Sequence, residues 1–377
     1  MKIYLDPAIS ACKEASLTLS ERLGGGANAN VYKERIGHED FAVKLYKEGA
    51  HFDMAKLQAM LANSPNKIYS DIGAVRYPLF SWPLALAYSD AKKQHVVGFV
   101  MPLLNEKASF TLDHFYDFTL SKRLRTNWGK ALSFRIEIIQ SICERLNELH
   151  NHGHLFIDFK PQNIRVFENT NIASFIDCDG FSIAAAGGGV FHATQVSSDY
   201  IAPEVIRGKN DPKLMTREQD YFALAVMIFQ ILNSGLHPFQ GVLKSDVGLN
   251  TNDEKVAQGL YPYGRSPHPQ IAPSPHSIHA TFLPETRALF DRAFAGTEAR
   301  PTSEEWRAHF SHVRDKTLAR CAKYPDEIDH MRFKDMPCPA CAKDISAAAV
   351  PYAVSCSMPQ SHAAKATAPY AVSNSTP

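Results

Sequence analysis

A chain of 377 residues is long enough for two packed lobes and an extension, and its 45 % apolar and 21 % charged content is that of an ordinary globular protein. A formal charge of +1 excludes a global pull toward nucleic acid or acidic lipid, and no apolar run is long enough to span a bilayer. The opening MKIYLDPAISACKEA lacks the apolar core of a secretory leader, and seven Cys, two of them in a CPAC pair, make no dense disulfide framework, so a cytoplasmic, reducing location is expected.

Residues 17–46 predict strand, turn, strand, strand, carried by LTLSERL, the Gly-rich GGGANAN, VYKER and DFAVKLY. DMAKLQAMLAN (53–63) has helical spacing and stops at SPN. VVGFVMPLL (96–104) reads as a buried strand entering a Pro-containing connector. From about residue 130 the character changes, and ALSFRIEIIQSICERLNELH predicts a long helix with one buried face that includes Cys143. IRVF and ASFID are short strands, AAAGGGV suits a mobile loop, and DYFALAVMIFQILN is apolar almost all round, as a buried helix is. The Pro- and His-rich stretch 261–284 is expected to be an irregular surface insertion, with ETRALFDRAF as the helix that closes the domain. Residues 345–377, rich in Ala, Ser and Pro, are expected to be disordered.

Chemistry concentrates at a few points. In LGGGANANV (23–31), Gly24 and Gly26 let backbone amides approach a phosphate, although such a hairpin alone is more often a plain turn. AVK follows on the next strand and puts Lys44 where its ammonium could meet those phosphates. In HGHLFIDFKPQNI, Asp158, Lys160 and Asn163 share one short loop. Phosphoryl transfer needs a carboxylate to orient a hydroxyl and accept its proton, a cation for the γ-phosphoryl oxygens, and a side-chain carbonyl for a metal ion. A polar turn would explain the loop alone, but FIDCDGF then places Asp177 at a strand end, where a carboxylate can bridge Mg²⁺ to nucleotide phosphates. Cys338 and Cys341 form half of a zinc knuckle that Cys321 and His330 could complete, the alternative being free thiols in a loose tail. Cys12, Cys178 and Cys356 show no ligand spacing, and His150, His152 and His154 are better explained by a helix end and turn than by a metal site.

The order Gly-rich loop, AVK, DFKPQN, IDCDG, APE and a later buried helix resembles the protein kinase signature set from about residue 20 to residue 312. The resemblance implies an α+β, bilobal fold: a small antiparallel-sheet N-lobe (1–104), a larger, mainly helical C-lobe (105–315), a short extension (316–344) and a tail (345–377). It implies ATP and Mg²⁺ as cofactors, with Zn²⁺ at the knuckle if that forms, and transfer to Ser or Thr of a protein substrate. Asp158 is the implied base and Lys160 its cationic partner; Asn163 and Asp177 are the Mg²⁺ ligands. Gly24, Gly26, Val31, Ala42, Lys44, Met101 and Leu103 would surround the nucleotide. Glu204 of the APE segment would pair with Arg300, Asp220 would brace the catalytic loop, and Ser197 would bond Asp158 and Lys160. KLQAMLAN, FSWPLALAY, VVGFVMPLL and IDCDGF resemble a bacterial group often joined to zinc-ribbon-like or helix-hairpin-helix segments, which suggests a cognate phosphatase as a second partner. Neither a membrane nor a nucleic-acid partner is implied.

Five departures stand out. Phe156-Ile157 replace the usual His-Arg, Asp177-Cys178-Asp179 replace Asp-Phe-Gly, Ala29 replaces the third loop Gly, and Pro102 an acidic connector residue. The helix after Lys44 offers no Glu to hold that lysine; Gln58 is the expected inward residue, with Asp53 or Glu48 as substitutes if the helix is displaced. The complete transfer set favours an active kinase, whereas the missing Glu and altered Asp-Cys-Asp favour a nucleotide-binding pseudokinase that acts as a scaffold.

Overall fold

A seven-stranded antiparallel sheet dominates the first lobe of the computed structural model, which describes residues 2–6, 16–116, 131–211, 214–245, 248–296 and 299–342. Its strands are β1 (Lys2–Asp6), β2 (Ser16–Thr18), β3 (Glu21–Gly25), β4 (Ala29–Ile36) and β5 (Glu39–Tyr46), then β8 (Ala85–Tyr88) and β9 (Val96–Pro102), in the order β2-β1-β8-β9-β5-β4-β3. Helix α1 (Met54–Ala62) and a separate hairpin, β6 (Tyr69–Ile72) and β7 (Val75–Pro78), lie between β5 and β8 in the chain. Period-two alternation assigns the faces of the sheet. Phe41, Val43 and Leu45 of β5 join Ile3, Leu5, Leu17 and Val100 in one apolar cluster, while Ala42, Lys44 and Tyr46 face the other way. Strand β1, which lies between β2 and β8 and pairs Tyr4 with Tyr88, extends the sheet beyond the predicted hairpins, and buried Ile3 and Leu5 are its signature. Gly98 allows β9 to pass close to β5, because a Cβ there would collide with the Lys44 carbonyl oxygen.

The second lobe is mainly helical. A three-stranded sheet of β10 (Ser109–Thr111), β11 (Ile164–Phe167) and β12 (Ala173–Phe175) lies beside α2 (Leu132–Asn151), whose Ile136, Ile139, Cys143 and Leu146 are buried at helical spacing. The predicted loop AAAGGGV is the tip of a hairpin, β13 (Ile183–Ala184) and β14 (Val190–Phe191), with Gly188 and Gly189 at φ near +90° where only glycine is comfortable. After α3 (Pro203–Arg207), α4 (Arg217–Leu232) runs through the centre of the lobe, buried on all sides as its composition predicts.

Two expectations need correction. Residues 261–284 are not a loose surface insertion: β15 (Gly241–Leu243), which precedes α5 (Asn252–Ala257), pairs with β16 (Ile271–Pro273), and Tyr261, Tyr263, Ile271, Ile278 and Phe282 are buried. Proline breaks the periodicity there without preventing the apolar side chains from packing. Nor does α6 (Pro284–Phe294) close the domain, since α7 (Ser303–Lys316) follows and packs along α2. A largely polar surface hides α7 in the sequence, yet Trp306, Phe310 and Val313 form a buried stripe behind a Thr302–Glu305 capping box. Beyond it β17 (Leu318–Arg320) pairs with β18 (Met331–Phe333), and Phe333 is buried against the helical core. The predicted disordered tail 345–377, with Cys356, and Cys12 near the start lie outside the described residues. No helix among the described residues is long and apolar enough to cross a membrane.

Candidate functional site

A cavity of about 820 Å³ opens between the sheet and the helical lobe. Gly24, Gly26, Val31, Ala42 and Lys44 line it from the sheet, Met101 and Leu103 from the connector, and Asn163 and Asp177 from below. A Cβ on Gly24 or Gly26 would meet nothing within 4 Å, whereas one on Gly25 would sit 2.6 Å from Asn30 Oδ1. Gly25 is thus the crowded glycine of this hairpin, facing the side-chain ends of Asn30 and Arg22 and the Ala29 carbonyl oxygen, and the two predicted positions border open space. Asp158 and Lys160 stand next to the cavity, on the loop that carries Asn163.

That loop is shaped from behind. Asp220, fully buried at the start of α4, accepts from the amides of Phe156 and Ile157 at 2.8 Å each and lies 2.9 Å from His150 Nε2. These bonds turn the chain sharply, and Ile157 takes φ +62°, a left-handed conformation rare for a β-branched residue. Phe156, where a His is usual, packs on Phe159 and Phe181 at ring distances of 4.5 and 4.2 Å. The turn delivers Asp158 to a ring of donors. Ser197 Oγ donates to its Oδ1 at 2.6 Å, Lys160 Nζ to its Oδ2 at 2.6 Å, and Asn163 Nδ2 to its carbonyl at 3.0 Å and Oδ2 at 3.2 Å. Lys160 also reaches Ser197 Oγ at 2.9 Å.

Asp177 ends the strand-like run after β12 at φ +58°, beside Asn163 because the amide of Ile176 donates to the Asn163 carbonyl at 3.0 Å. Lys44 Nζ lies 2.8 Å from Asp177 Oδ1 and 2.7 and 2.9 Å from the two oxygens of Asp179. Burial alone would lower the Lys44 pKa; the carboxylates of Asp179 and Asp177 outweigh it and leave the ammonium above its ordinary value. The expected partners of Lys44 are corrected here. Gln58 is exposed, and Asp53 caps α1 by accepting from the Lys56 amide at 3.1 Å. Glu48, also exposed, makes no bond to Lys44 among the described residues. The carboxylate that bonds Lys44 through both oxygens is instead Asp179, two residues beyond Asp177 and distant in sequence from the lysine.

The remaining predicted pairings come together as well. Arg300 grips Glu204 through two bonds of 2.5 and 2.8 Å and lies over the ring of Phe222. The three alternating histidines have separate partners: His150 meets Asp220, His152 meets Asn63 Oδ1, and His154 meets the Asn63 carbonyl. In the extension, the ligand atoms of Cys321, His330, Cys338 and Cys341 all lie within 4.8 Å of one another. Their spacings are 3.8 Å for Cys321–Cys341, 3.7 Å for Cys338–His330 and 3.4 Å for Cys341–His330. A tetrahedron with Zn–S of about 2.3 Å and Zn–N of about 2.0 Å has edges of roughly 3.5–3.8 Å, so the donor set fits zinc. Sequence reasoning missed Asp179 and Tyr46, whose hydroxyl donates to Asp179 Oδ2 at 2.9 Å. The signal for Tyr46 was available, since it follows Lys44 by two residues on one strand and so shares its face.

Comparison with known proteins agrees with this geometry. The protein kinase domain family matches residues 17–281. Protein kinase YegI of Escherichia coli O157:H7 is 25 % identical over 350 residues, 90 % of this chain and 51 % of the relative. YegI of Escherichia coli K12 is 26 % identical over 337 residues, 87 % of this chain and 49 % of the relative. The serine/threonine-protein kinase PknB of Mycolicibacterium smegmatis is 26 % identical over 282 residues, 74 % of this chain and 39 % of the relative. The chain thus spans about half the length, or less, of these curated relatives. A match over well more than half of the chain, on a two-lobed fold with the signature residues gathered at the cleft, means that the chain belongs to the protein kinase domain family.

Proposed function

We propose that this protein is an ATP-dependent serine/threonine kinase that transfers the γ-phosphoryl group to a protein hydroxyl. The observation that carries the reading is the Asp158 carboxylate, held by Ser197 and Lys160 at 2.6 Å each with Asn163 behind it. In this reading Asp158 orients the substrate hydroxyl and takes its proton as the new P–O bond forms and the bond to the ADP oxygen breaks. Lys160 steadies the charge on the transferred group, and Lys44 the charge on the other phosphates. Asn163 and Asp177 would hold Mg²⁺, which when bound neutralises phosphate charge. Gly24, Gly26, Val31, Ala42, Met101 and Leu103 would enclose the nucleotide. We assign the lobes to 1–104 and 105–315 and the extension to 316–344. We place the protein in the cytoplasm, with a protein substrate and a reversing phosphatase as partners; the free thiols of Cys143 and Cys178 fit a reducing setting.

With γ-labelled ATP and Mg²⁺, label is expected on Ser or Thr of a protein substrate or of the chain itself, and Asp158→Ala should cut the rate by about 10²–10⁴-fold. Nucleotide binding without transfer would favour the scaffold reading, for which the absent helix Glu is the supporting feature. Equal labelling by Asp158→Ala would remove Asp158 as the base. Zinc at Cys321, His330, Cys338 and Cys341 is a separate proposal, supported by the convergence of their ligand atoms within 4.8 Å of one another. Elemental analysis should find about one zinc per chain, and Cys338→Ser should lose it.

A further inference from the structure

Holding a phosphate-binding lysine in place is the job for which helix α1 lacks a carboxylate. The helix instead presents a second cation to the cavity, Lys56, on which the charge of Asp179 acts. A lysine on α1 repels Lys44 and cannot anchor it. Two carboxylates reach Lys44 from the Asp177-Cys178-Asp179 turn, and they are not equivalent. The Asp177 side chain is 60 % exposed and offers Lys44 one oxygen, which leaves it free to turn toward a metal ion. Asp179 is 15 % exposed and commits both oxygens to Lys44, one of which also accepts from Tyr46. Its surroundings are equally fixed. Tyr46 stacks on Phe52 with centroids 4.3 Å apart and planes 4° from parallel, and Cys178, fully buried, donates from Sγ to the Phe175 carbonyl at 3.4 Å.

We propose that Asp179, braced by Tyr46, is the positioning residue for Lys44 and takes over the role of a helix carboxylate. The consequence rests on the nucleotide-binding reading above: the phosphate cation is tied to the same turn as the candidate metal ligand Asp177, so the two are placed together whatever α1 does. Helix movement would then not set the position of Lys44.

A double-mutant cycle on thermal stability of the full chain tests the anchor without requiring nucleotide. Lys44→Met and Asp179→Asn should be clearly non-additive in Tm, whereas Lys44→Met and Gln58→Ala should add. Additivity of the first pair overturns the proposal, as does coupling of similar size in the second. Should Asp179→Asn not fold, Tyr46→Phe takes its place in the cycle with a smaller coupling expected, and its additivity with Lys44→Met is equally fatal. Binding measurements then test the role. Asp179→Asn should weaken Mg²⁺-ATP by about tenfold or more while leaving adenosine, which lacks phosphates, unchanged, and Asp179→Glu should recover part of the loss. Equal weakening of both ligands would mean that Asp179 only supports the fold. A wild-type chain that binds no ATP would defeat the kinase reading, while the cycle would still decide the anchor.

Discussion

Ile157 and Asp220 show how the cost of an awkward backbone is carried. A β-branched residue at φ +62° is strained by roughly 1–3 kcal/mol, and the two amide bonds accepted by buried Asp220 offset it. Asp220→Ala would leave both amides unpaired in the core, so a loss of about 2–4 kcal/mol is expected in chemical denaturation. Ile157 is fully buried, so either Ile157→Gly or Ile157→Ala should cost about 2–5 kcal/mol of packing, but Gly, free of the left-handed penalty, should be the less damaging by up to about 1 kcal/mol. If Ile157→Ala is instead no more damaging than Ile157→Gly, the left-handed turn is not where the strain lies. The same turn aims Asp158, so under the proposed kinase reading Asp220→Ala should also slow phosphoryl transfer.

Among the elements, two attachments matter most. Helix α1 is fastened to the second lobe by Asn63, whose Nδ2 donates to the carbonyls of His152 and Ala184 at 3.0 Å each. Asn63→Ala should cost about 1–3 kcal/mol and speed hydrogen exchange in α1 well before that of α4. Uniform exchange in both helices would show that the latch is not local. The extension is attached differently: β17 and β18 place Phe333 in the core next to α2 and α7 and bring the Cys and His side chains together. On the zinc proposal, metal removal should therefore be felt in the helical lobe. A chelator is expected to lower the Tm of wild type by several degrees and to leave that of Cys338→Ser, already lowered, unmoved.

For the whole molecule, histidines packed in the interior without charge should lower stability in acid. His237, His279 and His309 are each held down to about 4 by burial, against 6.5 for the free side chain. Between those values the unfolded chain takes up protons that the folded chain refuses, so stability is full above about pH 6.5 and falls as the pH drops toward 4. Each site contributes on the order of 1–3 kcal/mol. The Tm should accordingly fall between pH 7 and pH 5, and less steeply in His237→Gln, which has one fewer such group. A Tm that is flat over this range would mean that these rings are hydrated and titrate normally.

What the sequence alone determined was local order: glycines in a hairpin, a lysine on the next strand, DFKPQN after an amphipathic helix, an acidic pair after a strand. These depend on period, turn chemistry and residue type, which are short-range properties of the chain. The tertiary structure decided pairings that cross long separations. Arg300 with Glu204 and Asp220 with the loop could be named from a family pattern, and the chain folds so that they meet. The partner of Lys44 could not, because this protein departs from the pattern there: Asp179 reaches it across 135 residues, and only the closure of the sheet over the Asp177-Cys178-Asp179 turn brings the charges within 3 Å. Strand β1 and helix α7 were hidden for a related reason. Their apolar faces are narrow, and only the surfaces they cover show which residues are buried.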